Sequence, residues 1–171
     1  MKIEGTAHNL CEFLQHIDSL QWSDWRPKEI VVHHCYLPSL AQRPNGFTRQ
    51  HMKNIQSYYE ELGWSAGPHL FIDESKIWTF SPMTSPGVHA RTFNSSSIGV
   101  EMLGNYDLED PWSGRGLKVL TTTCRAVRCL VARLQLTTGC IRFHRDDPKT
   151  KKSCPGTKIT KEAFLAHLAT V

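Results

Sequence analysis

Glu29-Ile-Val-Val-His-His34 places three β-branched residues in a row and ends them in two histidines. Branching at Cβ favours extended backbone and fits poorly in a helix, so the run reads as a short buried strand that delivers imidazole at its end. A second run, Ser97-Ile-Gly-Val-Glu-Met-Leu-Gly104, alternates Ile98, Val100 and Met102 against Ser97, Gly99 and Glu101. That is the period of a strand. It puts the Glu101 carboxyl inside a central strand, where burial without a partner or a task is expensive.

Helical spacing surrounds these runs. Residues 9 to 20 read as an amphipathic helix capped by Asn9, and Thr48 to Leu62 as a second, with Met52, Ile55, Tyr58, Tyr59 and Leu62 on its apolar side and Gly63 as its stop. A long helix spans Leu117 to Leu136 and ends near Gly139, and a terminal one spans Thr160 to Leu168. Further strands are expected at His69 to Ile72 and Ile77 to Phe80, joined by the turn Asp73 to Lys76, and at Cys140 to His144. Pro38 to Gly46 and Ser81 to Asn94 read as loops. Helices and strands mixed in this way, without repeats or a low-complexity linker, predict a single α/β (α+β) domain over residues 1–171, a sheet with helices on its faces. A chain of 171 residues can bury about two thirds of its unfolded surface, so no staple is needed.

No segment approaches the roughly 18 apolar residues that span a bilayer, so no membrane insertion is expected. Glu4 and His8 stand where a secretory signal would need an apolar core. The expectation is a chain without a signal peptide, cytoplasmic at synthesis, with reduced thiols. Cys11, Cys124 and Cys129 then read as small core or helix residues, whereas Cys154 stands in a polar loop before Pro-Gly. The net charge of +4 and pI near 8.8 favour an anionic partner. Cell-wall polymer and nucleic acid both qualify, but no aromatic stacking pattern accompanies Lys149, Lys151, Lys152, Lys158 and Lys161, so nucleic acid is set aside.

His144 and Cys154 lie ten positions apart across a charged loop. With His33 they offer two imidazoles and a thiol, a set that suits zinc in a catalytic site where a further position stays open. The set requires the strands ending at His33 and His144 to be neighbours. Taken singly, each histidine reads as a strand-end residue and Cys154 as incidental.

In order along the chain, Ile30-Val-Val-His33, Gly63-Trp-Ser-Ala-Gly-Pro-His-Leu-Phe-Ile72, Pro86-Gly-Val-His89, Asn94-Ser-Ser-Ser-Ile-Gly-Val-Glu101 and His144 followed by Cys154-Pro-Gly resemble the zinc-dependent N-acetylmuramoyl-L-alanine amidases. That family includes phage endolysins, cell-wall recycling amidases and peptidoglycan recognition proteins. The likeness covers roughly residues 28–156 and implies a mixed central sheet with a zinc groove at one edge. It implies one Zn2+ held by His33, His144 and Cys154, with His34 at a non-ligand position. Glu101 would serve as general base and Lys152 would stabilise the oxyanion.

The same resemblance makes His89 a substrate contact and His69 structural; Asn94, Arg91 and Trp78 are expected as further groove residues with no motif behind them. The bond attacked would join the lactyl group of N-acetylmuramic acid to L-alanine. Pro68 stands where phage relatives carry a catalytic tyrosine, which leaves that role to Glu101. The expected protein is a monomeric amidase acting on peptidoglycan or muropeptide, most simply an endolysin that reaches the wall in the periplasm after the membrane is breached. The alternatives are a cytoplasmic recycling amidase for anhydro-muropeptides and a non-catalytic peptidoglycan-binding protein.

Overall fold

A computed structural model of the chain describes residues 1–22 and 24–171. Six strands are β1 (Thr6–His8), β2 (Glu29–His34), β3 (Leu70–Ile72), β4 (Ile77–Thr79), β5 (Ser97–Met102) and β6 (Ile141–Phe143). Four helices are α1 (Leu10–Ser19), α2 (Arg49–Glu61), α3 (Gly114–Leu134) and α4 (Lys161–Thr170). The strands form one mixed sheet in the order β1-β4-β3-β5-β2-β6. β3, β5, β2 and β6 run parallel, and β4 and β1 continue the sheet antiparallel. The α/β architecture expected from the sequence is therefore present.

Side chains alternate across a strand, so β2 and β5 divide their residues between two layers. Ile30, Val32, Ile98, Val100 and Met102 join the core with Phe13 and Ile17 of α1 and Val119, Leu120, Val127 and Leu130 of α3. Val31, His33, Gly99 and Glu101 take the other face. Register then sets the chemistry. His33 pairs with Glu101 and Val32 with Phe143, so His144 leaves β6 beside His33. The parallel strands thus end together, at the edge where open α/β sheets bind ligands.

Local signals place the helix starts. Asn9 accepts from the Glu12 N–H at 2.9 Å while the Glu12 carboxylate accepts from the Asn9 N–H at 2.6 Å, and Thr48 and His51 repeat this reciprocal cap on α2. Elsewhere the boundaries move. α3 begins three residues before Leu117 and stops at Leu134, because Gln135 adopts the left-handed conformation (φ 57°) that ends the helix ahead of Gly139. Cys140 and His144 lie in 3-10 turns flanking β6 rather than within it. β1 carries no alternating apolar signal and exists through pairing with β4.

Candidate metal centre

His33 reaches the end of β2 almost fully buried, and the parallel register brings two further groups to its side. Its Nδ1 lies 3.1 Å from Nδ1 of His144 and 3.7 Å from a carboxylate oxygen of Glu101. Cys154 arrives on the loop after β6, where its Sγ accepts the His34 backbone N–H at 3.3 Å. One donor atom from each of His33, His144 and Cys154 lies within 4.8 Å of the others. Two nitrogens bound at about 2.0–2.1 Å in a tetrahedral zinc site sit roughly 3.3 Å apart, so the imidazole pair already has the spacing of shared coordination. An N, N, S donor set suits zinc and not the hard oxygen-seeking cations.

Arg145 holds the two loop ligands in step. Its backbone N–H donates to the Cys154 carbonyl at 2.9 Å, and its guanidinium donates to the carbonyls of Ser153, Gly156 and Ile159. Gly156 sits against Tyr106 with φ 112°, and a Cβ there would meet the Tyr106 backbone at 2.5 Å. The turn after Cys154 therefore admits only glycine. Asp107 pins the same loop by accepting from Ser153 Oγ and the Thr157 N–H, both at 2.7 Å. Nothing in the charge of Arg145 or Asp107 distinguishes them in the sequence from ordinary loop residues, and both were missed. Cys154, expected in a polar loop, is buried by this folding.

Burial dominates the electrostatics. It holds His33 well below the usual imidazole range, and His89, His144 and Lys152 push the same way. His144 is lowered by burial and by Lys152. Both rings are thus neutral, the form that ligates a metal. Burial and the Glu101 charge push the Cys154 thiol up, so a thiolate at this position calls for a cation. Burial raises Glu101 to about 8, against the pull of Lys152. Lys152 is exposed and borders the same cavity as Glu101 and the three candidate ligands.

One wall of that cavity is apolar. Tyr58, Tyr59, Leu62 and Trp64 from the end of α2 and beyond, with Tyr36 and Leu37 after β2, line it. Tyr58, Leu62 and Leu37 are about half exposed or more. The apolar side of α2 is divided between core and cavity. Met52 is buried, whereas the later residues face the groove. A stripe of aromatic residues on a solvent-facing helix end was the available signal.

Of the residues assigned to substrate, His89 alone borders the cavity. Asn94 is not in the cavity lining, and its side-chain oxygen accepts the backbone N–H groups of His89 and Ala90, each at 2.8 Å. His89 borders the cavity, yet its nitrogens face His33 and Ser97 at 3.1 and 3.4 Å. Trp78 is buried in the core and donates to Asp73, and Arg91 is exposed outside the lining. His69 is fully buried, with Nδ1 accepting from the Gly99 N–H and Nε2 on the Ser85 carbonyl. His34 turns its ring away, and Nδ1 accepts the Tyr106 N–H at 3.0 Å. Pro68 does line the cavity.

Residues 23–157 match the profile of a family described as N-acetylmuramoyl-L-alanine amidase. Peptidoglycan-recognition protein SC2 of Drosophila simulans is 32% identical over 136 residues, covering 77% of this chain and 70% of that protein. A peptidoglycan recognition protein of Trichoplusia ni is 30% identical over 141 residues, covering 80% and 74%. Among solved structures, the endolysin amidase LysCS from Clostridium intestinale superposes with a TM-score of 0.67 at 23% identity, covering 88% of this chain and 92% of that one. Wild-type Drosophila PGRP-LB superposes at 0.64 and 20% identity, covering 86% and 83%.

Proposed function

Since the chain belongs to the N-acetylmuramoyl-L-alanine amidase family, we propose that it is a zinc-dependent amidohydrolase cutting the bond between the lactyl group of N-acetylmuramic acid and the L-alanine of the stem peptide. The observation that carries this reading is the convergence of His33, His144 and Cys154 within 4.8 Å, beside a partly buried carboxyl 3.7 Å from His33. These three residues would hold one Zn2+. When bound, zinc supplies Lewis acidity to the water and carbonyl that meet there.

The chain's own residues do the rest. Glu101 takes a proton from the attacking water at a carboxylate oxygen as the new C–O bond forms. It then gives that proton to the departing L-alanine nitrogen as the C–N bond breaks. The carboxyl stands 3.7 Å from His33, so the same oxygen can take the proton and return it. The Lys152 ammonium faces the same cavity and offsets the charge that develops on the carbonyl oxygen. Neutral His33 and His144 remain ligands throughout. No covalent intermediate is needed.

The chain would act as a monomer, on peptidoglycan and not nucleic acid. We read its setting as that of an endolysin, made in the cytoplasm and reaching the wall after membrane breach. The exposed aromatic wall, which can lie along a polymer, supports this reading. Purified protein incubated with peptidoglycan should release L-alanine amino termini and no new reducing sugar ends. Reducing ends alone would rule the reading out. Faster turnover of soluble anhydro-muropeptide than of intact sacculi would instead assign a recycling role.

The names of the recognition-protein relatives favour a second reading, binding without cleavage. The carboxyl beside the ligand set weighs against it. Loss of turnover in Cys154→Ala, with the fold retained, would decide for catalysis.

A further inference from the structure

The two nitrogens of His33 have separate tasks. Nδ1 faces His144 and Glu101 at 3.1 and 3.7 Å, whereas Nε2 faces Nδ1 of His89 at 3.1 Å, the two rings meeting edge to face at 88°. A neutral imidazole carries one N–H. If the Nδ1 lone pair is to face a cation, the hydrogen must sit on Nε2, and in a side chain this buried that hydrogen needs an acceptor. His89 Nδ1 is the group in place.

We propose that His89 is a positioning residue, accepting the Nε2–H of His33 and so fixing the tautomer and ring plane that aim Nδ1 at the metal position. The inference rests on reading His33, His144 and Cys154 as ligands. The groups behind His89 agree in direction. With its Nδ1 accepting, His89 carries its own hydrogen on Nε2, which faces Ser97 Oγ at 3.4 Å. Ser97 Oγ in turn donates to the Phe93 carbonyl at 2.7 Å. The series ends on an atom that can only accept, so it has one polarity. Reversing it would leave a proton on His33 Nδ1 and block coordination.

The ring is also held mechanically. Asn94 fixes the backbone of His89 and Ala90 through two 2.8 Å hydrogen bonds. Gly99 lies under the imidazole so closely that a Cβ there would stand 2.5 Å from His89 Cγ. His69 meets it edge-on with ring centroids 5.8 Å apart. Both nitrogens are thereby committed, which leaves His89 no polar atom for a substrate. Outer partners of this kind typically contribute about 10- to 100-fold to metal affinity.

The test compares zinc dissociation constants, from competition with a chromophoric chelator, for wild type, His89→Leu and His89→Asn, with the unfolding midpoint of each metal-free chain measured in parallel. The Leu variant should bind zinc about 10- to 100-fold more weakly, and the Asn variant, which returns an acceptor oxygen near the Nδ1 position, should recover most of the loss. Equal affinity in the Leu variant, or an equal loss in both, would overturn the proposal. Nitrogen-15 NMR of zinc-loaded wild type gives a check without mutation: the His33 proton should be on Nε2, and a proton on Nδ1 would overturn the assignment. A wild-type chain that takes up no zinc would instead bring down the metal-site reading, and the inference with it.

Discussion

In the proposed reaction Glu101 and Lys152 divide the chemistry in a way that single substitutions can separate. Glu101→Gln keeps the shape of the side chain but accepts no proton, so kcat should fall about 10²- to 10⁴-fold while zinc content stays at wild-type level. An active Gln variant would remove Glu101 from the reaction. Lys152→Met should lower kcat by about 10²- to 10³-fold if the ammonium offsets oxyanion charge, and steady-state kinetics on solubilised muropeptide would show it. Singly, His33 and His144 read as strand-end histidines and Cys154 as incidental; only their combination and the order of the motifs marked them as candidate ligands. The place of His89 and Asn94 was not legible. A loop motif names a neighbourhood, whereas the seat of the His89 ring depends on Gly99, on β5.

At the level of elements, register brings the centre together. β2 carries apolar residues on both faces, and its parallel pairing with β5 and β6 aligns His33 with Glu101 and with the turn that bears His144. The strands and helices were readable from period and caps, since alternation and helical spacing are local properties. Strand order was not readable. Nor was β1, whose three residues are extended only because β4 offers an edge. The Cys154 loop depends on Arg145 in the same non-local way. Arg145→Met removes charged hydrogen bonds to the Ser153, Gly156 and Ile159 carbonyls and should cost about 1.5–3 kcal/mol of stability, read from denaturant unfolding of the metal-free protein. An unchanged midpoint would show that the loop holds without it.

Across the whole molecule, several buried histidines give stability a common pH dependence. Burial lowers His69 to about 4 and His89 to about 3. Unfolded, each would bind a proton below about 6.5, so the unfolded chain gains protons first as pH falls. Stability of the metal-free protein should therefore decline from about pH 6.5 toward pH 3 and show no histidine effect above that window. Denaturant midpoints across this range provide the check, and a flat profile would contradict the buried neutral state.

The candidate ligands also connect distant parts of the chain, positions 33, 144 and 154. A cation bound there stabilises the folded form by mass action, about 2.7 kcal/mol at a hundredfold excess over its dissociation constant. A chelator should accordingly lower the melting temperature as well as stop turnover. With such a cation the persistence of the protein would be tied to metal supply. If the cation is zinc, as proposed, its scarcity would expose more opened molecules to proteases and so reduce the number of molecules as well as the activity of each.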